Sequence, residues 1–261
     1  MSSAKTDAKE FVVLAQKNSR ADVFIGRTPA HERELCEREA NCERKSITAE
    51  YENLVQQYKR AVALKDRLNE KYVNVLDGGY KEYDIDFNGL KKLNKDTVGY
   101  VKVNATNINH VVVKGKDNEN YKNNNFMKKK SRSGWIYMDS RNKLDGTDKH
   151  IVIYGSNNKE MFGSLDKVLT DKWQKKKEYH YITYVSENFE NRYEVFSTYE
   201  ADKADIKVDF NKQVDYDKYI KKIKSKSEYN YNVEVNSYDN ILTLVSYDGN
   251  KQIVLHAKLI K

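Results

Sequence analysis

After the pair Gly78-Gly79 the chain changes its period, and that change constrains the fold more than any other feature. The stretches VGYVKV, HVVVK, GWIYMD, HIVIYG, YHYITYV, RYEVFSTY, ILTLVS and QIVLHAKLI are short, rich in β-branched and aromatic residues, and separated by polar links. Each reads as a strand. Eight strands with few helices favour a closed barrel, because closure removes the exposed edges that an open sheet would present. Two helical interruptions are expected, near SLDKVLTDKW and at DYDKYIKKIKSKS, the second standing before the seventh strand. The predicted class is mainly β: an eight-stranded closed barrel with helices on its N-terminal side.

The part before the strands has a different composition. The first fifty residues hold both cysteines, the one proline (Pro29) and half of the arginines, and no tyrosine. From Tyr51 onward all twenty tyrosines appear and lysine displaces arginine. The expected organisation is a segment of separate character over 1–50, a helix over 51–79 leading into the barrel, and the barrel domain over 80–261. Within the first segment, TPAHERELCEREANCERK predicts a helix with Thr28 as N-cap and Pro29 at its first position. A second helix is predicted from Thr48 to about Leu76, capped by Ser46 or Thr48. Tyr51, Leu54, Tyr58, Ala61, Leu68, Tyr72 and Val75 follow a 3-4 spacing interrupted by Lys65, so this helix packs on its own domain or forms a short coiled-coil seam for self-association.

Charge and cysteine usage narrow the chemistry. The formal net charge of +8 suits polyanions such as cell-wall polymers, or reads as a lysine-rich solvated surface. The basic stretches YKNNNFMKKKSR and DKWQKKK sit in asparagine-rich, loop-like settings, which favours the solvated surface over a nucleic-acid site. No window approaches the roughly 18 apolar residues of a membrane span, and MSSAKTDAKEF lacks the apolar run of a signal peptide. Cys36 and Cys42 on one helix stand about 9 Å apart along its axis, beyond the reach of a disulfide. Their spacing to His31 matches no standard zinc finger, so no metal or cofactor is expected.

The chain ends in strand, short exposed link, strand: TLVSY, a turn over Asp248-Gly249-Asn250, then QIVLHAKLI. Such a link commonly mounts a catalytic residue. LKKLNKDTVGYVKVNATNINHVVVKGKDNENYKNNNF, SGWIYMDSRNKLDGTDKHIVIYGSNNKEMFGSL and this ending, preceded by DYDKYIKKIKSKS, together resemble the catalytic domain of the class B sortases in consistent order over about residues 80–261. The resemblance implies a sortase-type barrel and the outer face of a Gram-positive cell membrane. It also implies a transpeptidase chemistry, in which a cysteine thioester joins a sorting peptide to a cell-wall amine.

Three residues carry that chemistry in the family, and the resemblance locates each position here. The histidine that follows a strand-ending YG is Ser156, the cysteine that closes TL-x-[ST]-C is Tyr247, and the arginine that opens the last strand is Gln252. Each exchange removes a capacity. A thiol with a pKa of about 8.5 becomes a phenol near about 10, a far poorer nucleophile. Serine cannot take up and release a proton near neutral pH as histidine does, and glutamine offers an oxyanion a hydrogen bond without a charge. Loss of a nucleophile alone typically costs on the order of 10⁶ in rate.

No substitute nucleophile is well placed. No cysteine follows Cys42, and strand alternation turns Ser246 away from the face of Tyr247. His256 shares the face of Gln252 and Val254, where it either aims into the cleft or packs and hydrogen-bonds. Asn157, Ser246, Lys251 and His256 are the candidates for lining a ligand groove. Val111 stands where the family often has a proline, a further departure near the groove. The expected function is therefore an inactive sortase-like module that binds an extended peptide or a pilin-like segment, as a scaffold in surface-protein or pilus assembly. The competing expectations are an active cysteine transpeptidase and a polyanion-binding surface protein.

Overall fold

The computed structural model describes residues 30–77, 82–247 and 251–260, with side chains from Glu39 onward. The chain divides after Val55 into two compact units. Helix α1 (Ala30–Tyr72) runs uninterrupted through the division. Two helices were expected there, but no glycine or proline lies between 30 and 72, and nothing else breaks the ladder. Thr48 does not cap a new helix; its hydroxyl donates back to the Arg44 carbonyl at 2.8 Å, inside the continuous one. The expected cap at Thr28-Pro29 lies outside the described residues. In the first unit Ile47, Tyr51 and Leu54 are exposed and Cys42 is a free, exposed thiol. In the second, Ala61, Leu64, Leu68 and Tyr72 are buried in the main core.

The helix ends four residues before Leu76, because Val73–Val75 pairs as strand β1 with β2 (Tyr83–Ile85) in a small antiparallel ladder. Helix α2 (Phe87–Leu93) follows, capped by Asp86, whose carboxylate accepts from the Gly89 N–H at 2.8 Å. All eight anticipated strands then form: β3 (Thr97–Val103), β4 (Asn109–Val113), β5 (Tyr137–Met138), β6 (His150–Ser156), β7 (Tyr181–Val185), β8 (Glu190–Ala201), β9 (Ile241–Tyr247) and β10 (Gln252–Leu259). They close into a barrel in the order β10-β8-β7-β3-β4-β5-β6-β9. SLDKVLTDKW becomes a 3-10 turn, Gly163–Leu169, and the short helix α3 (Asp171–Gln174). DYDKYIKKIKSKS becomes α4 (Gln213–Ser225), the helix before the seventh barrel strand.

Burial explains where the strands sit. Leu242, Leu244, Ile153, Ile253, Leu255 and Ala257 belong to the barrel interior with Trp135, Ile136 and Phe162. The alternate residues of the same strands are buried too. Val152, Val245 and Val254 pack with Tyr199 and Val208, while Ile241 and Phe196 pack under Tyr216, Tyr219, Ile220 and Ile223 of α4. These four α4 residues follow helical 3-4 spacing, and burying each of the two isoleucines contributes about 1.5–3 kcal/mol. The strands β6, β9 and β10 are thus covered on both faces, by the interior and by the connection from β8 through α4.

Candidate functional site

Strands β6 and β9 run parallel, in register from His150 opposite Ile241 to Ser156 opposite Tyr247. Their C-terminal ends therefore meet, and the Asn157 N–H extends the ladder by donating to the Tyr247 carbonyl at 2.6 Å. Two positions 91 residues apart in sequence become neighbours through this register alone.

Ser156 is fully buried. Its hydroxyl donates to the Ser133 carbonyl at 2.7 Å and accepts from the Asn158 amide at 3.1 Å. The group serves as a hydrogen-bonded tie between the β6 end and the loop before β5. Tyr247 is almost fully buried, its ring 5.9 Å from that of Tyr137, which in turn stacks on Tyr154 at 5.3 Å. Burial and the neighbouring Tyr247 and Tyr154 hydroxyls push the Tyr137 phenol far up, so it stays neutral. The loop accommodates the Tyr247 phenol through Gly134, at φ +58, where an added Cβ would lie 2.7 Å from the Tyr247 oxygen and 2.4 Å from the Tyr121 carbonyl.

Gln252 is half-buried and opens β10 opposite Ala201 of β8. Its side-chain carbonyl accepts from the Ala204 N–H at 2.7 Å, which ties down the start of the connection 202–212. The antiparallel pairing of β10 with β9 runs from Lys258–Ile241 up to Val254–Val245 and then stops. Beyond it, the Ile253 N–H donates to the Ser246 hydroxyl at 2.8 Å, so Ser246 is buried and engaged rather than available. The link 248–250 lies outside the described residues.

The remaining candidates separate. Asn157 is exposed beside the strand ends, with its backbone in the ladder. Lys251 is exposed and pairs with Glu200 at 2.7 Å, a surface contact worth little. His256 is fully buried under Phe196 and Tyr199, bonded to Thr243 at 2.6 Å and Tyr199 at 3.1 Å.

Neighbours that sequence reasoning passed over are Ser133, Gly134, Asn158 and the pair Asp139–Arg141. Asp139 is fully buried; it accepts from Arg141 at 2.8 and 2.9 Å and from the Tyr154 hydroxyl at 3.0 Å. Burial works against its charge, but the Arg141 hydrogen bonds outweigh it and hold the carboxyl below its ordinary range. Two cavities lie elsewhere. One of about 460 Å³ is lined by His180, Glu194, Tyr229, Tyr231 and Lys258 at the other end of the barrel. One of about 280 Å³ lies between Asp205–Asn211 and α4. Among the described residues no cluster of His, Cys, Asp or Glu suits a metal ion, and no helix is long and apolar enough to cross a membrane.

No family model matches the chain. Sortase B of Staphylococcus aureus is 32% identical to it over 225 residues, 80% of this chain and 89% of that protein. The crystal structure of sortase B from B. anthracis in complex with AAEK1 superposes with a TM-score of 0.71 at 28% identity, covering 79% of this chain and 99% of that one. A Staphylococcus aureus sortase B-substrate complex superposes with a TM-score of 0.63 at 30% identity, covering 84% and 99%. Strand order, helix placement and these likenesses agree, and the chain belongs to the class B sortase family.

Proposed function

We propose that this chain is a catalytically silent member of its family, a module that holds an extended peptide or pilin-like segment at the outer face of a Gram-positive membrane without cutting it. The observation that carries this reading is the pairing of Ser156 with Tyr247 at the joined ends of β6 and β9. By the resemblance, these are the positions of the family's histidine and cysteine, and Gln252 that of its arginine. Acyl transfer by the family's route needs a thiolate, a proton carrier and a fixed cation. A buried serine hydroxyl bonded to Ser133, a tyrosine packed on Tyr137 and an amide bonded to Ala204 supply none of them.

The peptide half of the proposal rests on kinship. A relative of the same fold has been solved with a substrate bound. The exposed Asn157 and the half-buried Gln252 and Tyr154 near the strand ends leave polar and aromatic surface for a strand-like ligand. Incubation with a panel of fluorogenic sorting peptides, beside an active sortase B, tests the silence directly. The expected result is no turnover above the protein-free blank. Turnover that survives alkylation of Cys36 and Cys42 would overturn it and establish a transpeptidase with a different nucleophile. Binding of uncleaved peptides, read by fluorescence anisotropy, tests the holding role separately.

A further inference from the structure

Behind the strand ends, on the face covered by α4, five groups form one unbroken hydrogen-bond chain. The Lys207 carbonyl lies 2.5 Å from His150 Nδ1, and His150 Nε2 lies 2.6 Å from Thr243 Oγ1. Thr243 Oγ1 lies 2.6 Å from His256 Nδ1, and His256 Nε2 lies 3.1 Å from the Tyr199 hydroxyl. Both histidines and Thr243 are buried.

Proton counting fixes the direction of this chain. A carbonyl only accepts, so His150 Nδ1 carries hydrogen. In a neutral ring Nε2 must then accept, and the Thr243 hydroxyl donates to it. Thr243 Oγ1 accepts in turn from His256 Nδ1–H, leaving His256 Nε2 to accept from the Tyr199 hydroxyl. Every donor and acceptor is satisfied in one arrangement, with both imidazoles as Nδ1–H tautomers.

We propose that this chain is a one-proton switch: a single added proton settles on His150 and reverses the polarity of the wire as far as Tyr199. The proton enters at His256 Nε2, His256 releases its Nδ1 proton to Thr243, and Thr243 passes its own to His150 Nε2. Nothing is gained or lost beyond the one proton. His150 becomes an imidazolium donating at both nitrogens, and His256 becomes the neutral Nε2–H tautomer, now donating to Tyr199.

The surroundings favour His150 as the resting place. It faces Tyr219 of α4, Phe210, and the Asp139–Arg141 pair, in which Asp139 favours the cation and Arg141 opposes it. His256 faces Phe196 and Tyr199 of β8, with Lys226 beyond α4 and His150 itself both opposing a second charge. Burial pushes both imidazoles down, His150 to about 4 and His256 well below its ordinary value. A second proton would place two cations 6.5 Å apart and leave the Thr243 hydroxyl hydrogen without an acceptor. At its other end the wire meets the Lys207 carbonyl, which accepts from His150 Nδ1–H in both states, on the connection that Gln252 ties down at Ala204.

Long-range proton–nitrogen spectra of the ¹⁵N-labelled full chain test this. At pH 7 both rings should show the Nδ1–H tautomer, which free histidine disfavours. As the pH falls, His150 should become an imidazolium and His256 should change to Nε2–H in the same titration step. An Nε2–H tautomer on either ring at pH 7, protonation of His256 first, or a His256 tautomer indifferent to His150 would each overturn the switch. Unfolding before His150 takes up its proton would overturn it as well. In Thr243→Val the relay lacks its middle, and the His256 tautomer should no longer follow His150. If that variant fails to fold, the titration of the unaltered chain decides alone.

Discussion

Gly134 and Tyr247 occupy each other's space: the glycine's left-handed backbone, at φ +58, leaves open the volume that the tyrosine hydroxyl approaches. A side chain at one position thus depends on the absence of a side chain at the other. Gly134→Ala should cost at least about 2 kcal/mol, from strain at positive φ and from the crowding. Adding Tyr247→Phe should recover only part of this, because the Tyr121 carbonyl 2.4 Å from the new Cβ remains. Urea unfolding of the two single variants and the double variant measures the recovery.

Restoring the family's residues is a matter of space as well as chemistry. Ser156 is fully buried and bonded to Ser133, so Ser156→His alone should destabilise by about 1–3 kcal/mol through overpacking. Tyr247→Cys or Gln252→Arg alone should give no peptide cleavage. Only the three changes together can restore turnover, because such residues act as a unit. Single-turnover assays on the four variants distinguish joint recovery from any single contribution.

Stability should fall as the pH drops from about 6.5 towards 4. The described histidines, His110, His150, His180 and His256, all have their proton affinity lowered in the folded state, by burial first in each case. The unfolded chain therefore binds more protons in this window. The stabilisation is fully present above about 6.5 and decreases with falling pH until the folded pKa is reached, about 4 for His150 and about 3 for His110. Each participating histidine contributes a slope of about 1.4 kcal/mol per pH unit. Asp139, held below its ordinary range, adds its own loss only at lower pH. Urea midpoints at pH 7, 6 and 5 should decline in order; a flat profile contradicts the assignment.

Removing residues 1–50 should leave the barrel folded. The core contributions of α1 begin at Ala61, and the first unit ends at Val55. A chain beginning at Tyr51 should melt cooperatively with its strand signature in circular dichroism intact. Aggregation of that chain, with the full one stable, would place the first fifty residues in the core.

The barrel was legible because β6, β9 and β10 are apolar, β-branched runs of only seven or eight residues, bounded by polar links and too short for core helices. Helix boundaries were less so. Ser46 and Thr48 have the chemistry of caps, yet a cap residue inside an unbroken run simply bonds back along the helix, as Thr48 does. The ladder of Val73–Val75 with Tyr83–Ile85 escaped notice because three residues are too few to show a period. At the site, Ser156 and Tyr247 could be placed by pattern, whereas Ser133, Gly134 and Asn158 act through loop geometry that no spacing reveals. For His256 alternation indicated the right face but not its cover, since Phe196 and Tyr199 close over it only in three dimensions.

The parallel seam of β6 and β9 also has a kinetic meaning. β3–β4, β7–β8 and β9–β10 are local hairpins, whereas the seam joins His150 to Ile241, about ninety residues away. Loop closure over such a distance is slow compared with hairpin formation. The neighbours Ser156 and Tyr247 are therefore expected to meet later in folding than the partners within any one hairpin, and the place they share depends on that long-range closure.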